Sequence, residues 1–359
     1  MNYARRGGAE IYIYTLISEL KKRGIHSEII SGSSTKLIEN SYRNHKCHFV
    51  YIDKESVKKL PFIKRVIWHL RYIVFLYDFI LRLRVLLKAD YFVCQQPWPS
   101  SFAMFCGKIL RKKVIIIVHH IIANEFTPLI MHQMYSSVKF IAVTEEVKDH
   151  LIDLGLDNNI SVLPNPIELH PPIKRTNDSQ QNKDITISLV SHVYEQKASS
   201  LNIFCNIAKR FPNYSFQIIG ECTSHFAKNL IERFKGDVSF RGLMNSADLQ
   251  NAVTSSDVVV GVGRSALEAI ICGKKVIISG HVIGKKGGNF GGLVNEDNIS
   301  EISSFNYSGR NSSILADEKL MEKEILKAIT EKNNLIDSKF FACHSPALVC
   351  QNFVKILKF

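Results

Sequence analysis

The chain has 359 residues, 46% of them hydrophobic and 22% charged, with 46 Lys and Arg against 33 Asp and Glu. That length exceeds one ordinary domain and that apolar content excludes a disordered chain, so two domains of roughly 150–180 residues are expected. The formal net charge of +13 calls for an anionic partner: nucleic acid, acidic lipid or a phosphorylated small molecule.

In chain order, Ile11, Tyr14, Ile17 and Leu20 recur at helical spacing and stop at Arg23-Gly24, a basic last turn followed by a C-terminal glycine. A short strand over 27–30 follows. Residues 60–87 read as one or two helices, and short apolar runs at 91–94, 114–118, 140–143 and 160–163 read as buried strands separated by helices. Pro164-Asn165-Pro166 closes this half. Residues 167–184 hold Pro171-Pro172 and the polar tract TNDSQQNKD, which lacks the apolar surface to fold, and are taken as a linker. The alternation restarts with strands at 185–190, 216–219, 238–240, 258–260 and 276–278. Helices are expected from Ala198, near Ala227 and Ala247, and from Ser265. The tail from about Ile314 reads as helical, ending in an amphipathic segment at 347–357.

The expected organisation is therefore α/β: a Rossmann-like domain over 1–166, the linker 167–184, a second Rossmann-like domain over 185–335, and a C-terminal helix over 336–359 packing back on the first domain. Eight cysteines without a C-x-x-C pair read as core thiols of a reducing compartment. Residues 1–8 are polar, and Glu10, Glu19 and Lys21 interrupt the apolar residues that follow, which is unlike a secretory signal and implies a cytoplasmic protein. The longest apolar run, 72–81, contains Asp78 and is half the roughly twenty residues that a spanning helix needs.

In open α/β sheets ligands bind at the loops that lead from strands into helix N-termini. One such loop, in VVVGVGRSALEA, spells Gly261-x-Gly263-x-x-Ala266, the pattern of a dinucleotide site. The acidic ribose partner expected about twenty residues later is replaced by Ser279-Gly280-His281. In the same loop Glu268 either accepts hydrogen bonds from a ribose diol or complements the helix dipole. His119-His120 ends the VIIIV strand, without a third ligand at metal spacing. Residues 58–84 carry seven basic residues and one acid among Phe62, Trp68, Tyr72, Phe75, Tyr77 and Phe79. Basic and aromatic residues together suit an anionic membrane surface, and they equally describe ordinary helices packed on a sheet. No nucleic-acid-binding module is recognisable.

Three strings, RRGGAEIYIYTLISELKKRG, VTEEVKDHL followed by ISVLPNPIEL, and LEAIICGKKVIISG, resemble family 4 of the retaining glycosyltransferases; NFGGLV and NYSGR resemble its bacterial surface-polysaccharide branch. The resemblance implies the GT-B fold, two Rossmann-like domains facing an interdomain cleft. It also implies a hexosyltransferase-type enzyme that takes a nucleotide-sugar donor and a lipid-linked or oligosaccharide acceptor, without metal or other cofactor, peripheral on the inner face of the cell membrane. Glu268 corresponds to the second Glu of the family's E-x7-E motif, which holds the ribose; Val260 stands at the first. Lys197 matches the diphosphate-binding Lys of G-R-x-x-x-x-K-G, whereas Ser191 and His192 replace its Gly and Arg. Gly263, Arg264 and Ser265 supply further donor contacts, with Arg264 directed to the diphosphate. Gly7-Gly8 form the loop near the donor phosphates, and His119 is the histidine that contacts donor sugar or acceptor. The family carries about ten more residues, a first strand, before that loop, so either a truncated or mis-started reading frame or a degenerate gene is expected. Alternatives are an NAD-dependent enzyme built on Gly261 and Gly263, and a catalytically silent remnant that only binds a partner.

Overall fold

The computed structural model describes residues 8–31, 47–49, 77, 79–95, 97–121, 138–156, 160–168, 185–280, 288–331 and 336–358. These divide into two units: 1–166 with 344–359, and 167–343.

In the first unit, helix α1 (Gly8–Lys22) buries Tyr12, Ile13, Leu16, Ile17 and Leu20, one stripe of the 3.6-residue period. It ends in a Schellman motif: Gly24, at φ +74°, donates to the Lys21 carbonyl while Ile25 donates to Leu20. Strands β1 (Ile29–Ser31) and β2 (Cys47–Phe49) pair in parallel. A four-stranded parallel sheet follows, in the order β3 (Tyr91–Cys94), β4 (Lys113–Val118), β5 (Val138–Ala142), β6 (Ile160–Val162). Val114 to Val118 of β4 are all buried, as a strand covered on both faces requires. Helices α2 (Pro97–Leu110) and α3 (Glu145–Asp153) make the crossovers after β3 and β5, and Thr144 caps α3 by accepting from the Val147 N–H. Of the region expected to be helical over 60–87, residues 79–88 are helical and 60–76 lie outside the described residues.

The second unit has a six-stranded sheet in the order β12-β11-β10-β7-β8-β9: β7 (Thr186–Val190), β8 (Ser215–Ile219), β9 (Ser239–Gly242), β10 (Val258–Gly261), β11 (Lys275–Ser279) and β12 (Phe290–Leu293). Five strands are parallel; β12 is an antiparallel edge. Helices α4 (Ala198–Ala208), α5 (His225–Arg233), α6 (Ser246–Ser255) and α7 (Arg264–Ile271) follow β7, β8, β9 and β10 in turn. The chain starts at β7, runs outward through β8 and β9, and then restarts at β10 on the other side of β7. That reversal is the doubly wound switch point. Beyond the sheet lie α8 (Ile299–Ser304) and α9 (Glu318–Thr330), and α10 (Pro346–Leu357) ends the chain in the first unit.

Three readings are corrected. Strand β12 was not predicted, because Gly291 and Gly292 give it little strand propensity; a Cβ at Gly291 would stand 3.0 Å from that of Ile278, so the edge pairs closely because glycine is there. The tail is not helical from Ile314, since Leu315 bridges Asn289 and α9 starts only at Glu318, capped by Asp317. The second unit reaches past 335 to Cys343, because Ile336, Phe340 and Phe341 pack into its core beside Ile167. Residues 344–359 belong to the first unit, where Val349, Cys350 and Phe353 of α10 join the α1 and β4 core. Residues 169–184 of the expected linker lie outside the described residues.

Candidate functional site

The switch point puts the loops after β7 and β10 side by side. Ser191 and Lys197 from the first loop, Gly261 and Val262 from the second, and Ser279 and Gly280 from the end of β11 line one small pocket. Lys197 closes the short 3₁₀ turn Glu195–Lys197 that leads into α4. Its ammonium donates to Ser191 Oγ at 2.9 Å and lies 5.2 Å from the centroid of the Tyr194 ring. No carboxylate pairs with it among the described residues, and burial lowers its pKa from the ordinary 10.5 to about 8. A desolvated cation with only a hydroxyl and a ring for company favours an incoming anion. Ser279 Oγ, on the same pocket, is buried and has no partner among the described residues.

The second loop has the context its glycines require. Gly261 ends β10, and a Cβ there would meet Ser265 Oγ at 3.2 Å. Gly263, at φ +60° and ψ −133°, is the N-cap of α7, a conformation open to glycine and strained for other residues. Ser265 Oγ donates to the carbonyls of Val262, at 2.9 Å, and Val190, at 3.3 Å, and so ties the ends of β10 and β7 together. Arg264 Nε donates to Glu268 Oε1 at 2.7 Å. The two residues expected on diphosphate and ribose are thus one i, i+4 ion pair. Glu268 lies in the second turn of α7, beyond the reach of a dipole effect confined to the first.

His192 stands where the family has an arginine and makes a different contact from a cation's. Its Nδ1 accepts the Glu221 backbone N–H at 3.1 Å, which describes a neutral ring with its proton on Nε2. The ring braces the loop after β7 against the loop after β8.

Sequence reasoning missed two supports. Gly220 lies so close to the Ser191-His192 peptide that a Cβ would fall 2.1 Å from the Ser191 oxygen. The Tyr307 carbonyl accepts the Gly263 N–H at 2.8 Å, from a loop where Asn306 and Tyr307 both hold positive φ, at 56° and 53°. Two consecutive left-handed residues other than glycine cost about 1–3 kcal/mol each and occur where a site is held in place. The only sequence signal for the first was a glycine at a strand end; for the second it was the NYSGR string, quoted for its family resemblance alone.

In the first unit Gly8 opens α1, while Gly7 lies outside the described residues. His119 follows β4, and its Nε2 is 2.9 Å from Oε1 of Gln95, which follows β3. Tyr12 of α1, itself fully buried, meets the imidazole edge-on with centroids 5.0 Å apart. The structure therefore groups Lys197, Ser191, His192, Gly263, Arg264, Ser265 and Glu268 around the β7/β10 switch point, and places His119 and Gly8 in the other unit. Among the described residues no cluster of His, Cys, Asp or Glu is suited to hold a metal ion. Seven of the eight cysteines, from Cys94 to Cys350, are free thiols; burial pushes those of Cys94 and Cys205 up to about 12, as expected of core packing groups.

Comparison with known proteins follows the same lines. The family model described as Glycosyltransferase Family 4 matches residues 6–170. No curated protein matches the sequence. Among solved structures, the Anabaena protein Alr3699/HepE, in complex with UDP and glucose, is similar with a TM-score of 0.68 and 14% identity over 100% of this chain and 98% of its own. A glycosyltransferase from Rickettsia africae ESF-5 has a TM-score of 0.68 and 19% identity over 99% and 96% of the two chains. The lipopolysaccharide outer core galactosyltransferase WaaB, in its apo form, has a TM-score of 0.54 and 17% identity over 100% and 99%. Residues 6–170 match the Glycosyltransferase Family 4 model, and the chain as a whole has the GT-B fold.

Proposed function

We propose that this chain is a retaining glycosyltransferase that moves a sugar from a nucleoside-diphosphate donor to a lipid-linked or polysaccharide acceptor at the cytoplasmic face of a membrane. The observation that carries the reading is Lys197: a buried ammonium without a carboxylate partner among the described residues, at the switch point of a doubly wound sheet. A diphosphate is the anion such a site suits, held also by the α7 N-terminus. The Family 4 match and the UDP bound in the Anabaena structure support a nucleotide-linked sugar, with UDP the first nucleotide to test.

In this reading the bond between the sugar's anomeric carbon and the diphosphate oxygen breaks while the acceptor oxygen bonds to the same face. The acceptor's hydroxyl proton passes to the departing diphosphate. Lys197 stabilises the charge that develops there, and Glu268, released from Arg264, accepts from the ribose diol while Arg264 turns to the phosphates. Protein cations supply the positive charge, so transfer proceeds without a metal or other cofactor.

The membrane element rests on the helix at 79–88 with Tyr77. Tyr77, Ile80, Leu81 and Leu87 are 53–64% exposed, and with Arg84 and Lys88 they fall on one helical face, while Phe79 and Leu86 point into the core. An apolar stripe flanked by cations suits an anionic lipid surface. No described helix is long and apolar enough to cross a membrane.

Titration calorimetry with UDP-, GDP- and TDP-sugars and NAD, followed by transfer assays into lipid-linked acceptors, tests the reading. The expected result is tight binding of one nucleotide sugar and transfer that survives EDTA. Binding of NAD alone would establish the dinucleotide reading of Gly261 and Gly263. A folded protein that binds none of these ligands would be a silent GT-B chain, and EDTA-sensitive transfer restored by a divalent ion would overturn the metal-free step.

A further inference from the structure

Three serines line the pocket that holds the Lys197 ammonium: Ser191, Ser200 and Ser279. Two of them have their hydroxyl hydrogen committed. Ser191 Oγ accepts from Lys197 at 2.9 Å and donates to the His192 carbonyl at 3.3 Å. Ser200 Oγ donates back to the Lys197 carbonyl at 3.5 Å, as a serine in the first turn of a helix commonly does. Ser279 differs. It is 5% exposed, and its Oγ has no partner among the described residues.

A loose backbone does not account for the idle hydroxyl. Ser279 is the register partner of Phe290 across β11 and β12, and the next N–H, that of Gly280, donates to the Asn289 carbonyl at 2.8 Å. On the other side a Cβ at Gly280 would fall 2.5 Å from the Ser308 carbonyl, so the peptide that carries Ser279 is held from both directions. Val276, Ile277 and Ile278 before it are apolar and buried, and an alanine would continue that run without leaving a buried hydroxyl unpaired. An unpaired buried hydroxyl is destabilising, so the serine is explained by a group that enters the pocket. That group must offer an acceptor to Ser279 and negative charge to Lys197. A phosphoryl oxygen does both, whereas a sugar hydroxyl would satisfy the serine and leave the ammonium without an anion.

We infer that Ser279 is a donor-binding residue: its hydroxyl, unpartnered on the wall of the pocket that Lys197 and Ser191 share, donates to a phosphoryl oxygen of the diphosphate. That the phosphoryl group belongs to a sugar nucleotide rests on the glycosyltransferase reading; capture of the anion by the serine does not. Lys197 supplies charge and Ser279 direction, since a strand-end hydroxyl fixes where the phosphoryl oxygen sits.

The test compares the full-length wild type with Ser279→Ala, which removes one oxygen and no hydrogen bond within the described chain. In calorimetry with EDTA present, the ligands are inorganic pyrophosphate and the diphosphates UDP, GDP and TDP. Ser279→Ala is expected to weaken pyrophosphate and the preferred nucleoside diphosphate by about ten- to a hundredfold, the range of a hydrogen bond to a charged group. Its urea midpoint without ligand is expected to equal or exceed that of wild type. Dissociation constants equal in the two proteins overturn the inference and leave the donor site at Lys197 standing. A lower midpoint in Ser279→Ala also overturns it, because the hydroxyl would then serve the fold. If wild type binds pyrophosphate through Ser279 and binds no nucleoside diphosphate or its sugar, the serine keeps its role and the transferase reading falls. A wild type that binds none of these anions overturns both.

Discussion

Lys197 is placed where a cation is disfavoured, and that gives its chemistry a sign that can be measured. Burial lowers its folded pKa to about 8 while the unfolded value stays near 10.5, so between those values the unfolded chain binds more protons and this residue makes folding more favourable as pH rises. Anion binding runs the other way, because only the protonated amine attracts a diphosphate. Nucleotide-sugar affinity is expected to fall as pH rises through about 8, with proton uptake on binding at pH 8.5, seen as a buffer-dependent enthalpy; a flat affinity from pH 6.5 to 9.5 would remove Lys197 from the donor site. Lys197→Ala should weaken binding about ten- to a hundredfold, the range of a hydrogen bond to a charged group. Glu268→Ala should also weaken binding, and it should strip Arg264 of a 2.7 Å partner. Equal dissociation constants for wild type and Glu268→Ala would assign the carboxylate to the ion pair alone. At this scale the residue types were legible and their partners were not. Lys197 was selected by the resemblance of SHVYEQKASS to the family's G-R-x-x-x-x-K-G, but the accepting role of His192 depends on which backbone lies opposite, and the order of residues along a chain carries no such information.

Helix ends and strand ends show how much of each element is local. Gly24, Gly155 and Gly273, at φ +74°, +84° and +71°, each end a helix through the same pair of carbonyl contacts, and a glycine after an apolar-periodic run is readable from sequence. Gly220 has no such signature. Its demand comes from the Ser191 carbonyl, 29 residues away, so Gly220→Ala is expected to cost about 1–3 kcal/mol, as overpacking does, and to loosen the loop that holds His192. Denaturant unfolding reads the first effect and donor affinity the second; a fully stable variant would mean that the close approach is relieved without cost. The helix at 79–88 makes a prediction of its own. Ile80→Asp and Leu81→Asp alter side chains about 60% exposed, so stability should hold while retention on anionic liposomes at low salt drops. Undiminished retention would leave the exposed stripe without a membrane role.

For the whole molecule, the order of elements along the chain and their places in the fold part company at the C-terminus. Helix α10 follows a second unit of more than 170 residues, yet it completes the core of the first, where Arg23 donates to the Ala347 carbonyl at 2.9 Å and Phe353 is 1% exposed. Phe353→Ala should therefore destabilise the first unit by about 3–5 kcal/mol. Limited proteolysis followed by mass spectrometry should show cleavage spreading through residues 8–156 while 185–331 stay protected; the opposite pattern would place α10 with the second unit. By itself the sequence determined the α/β alternation, the helix stops and the loops that lead from strands into helices, because apolar periodicity, glycine conformation and strand-to-helix order are local properties of a chain. Tertiary structure alone decided the glycine-rich edge strand, the close approach of Gly220 to Ser191 and the pairing of His119 with Gln95. Each of these is a choice of partner more than ten residues away along the chain, settled by which groups the packed sheet leaves within reach of one another.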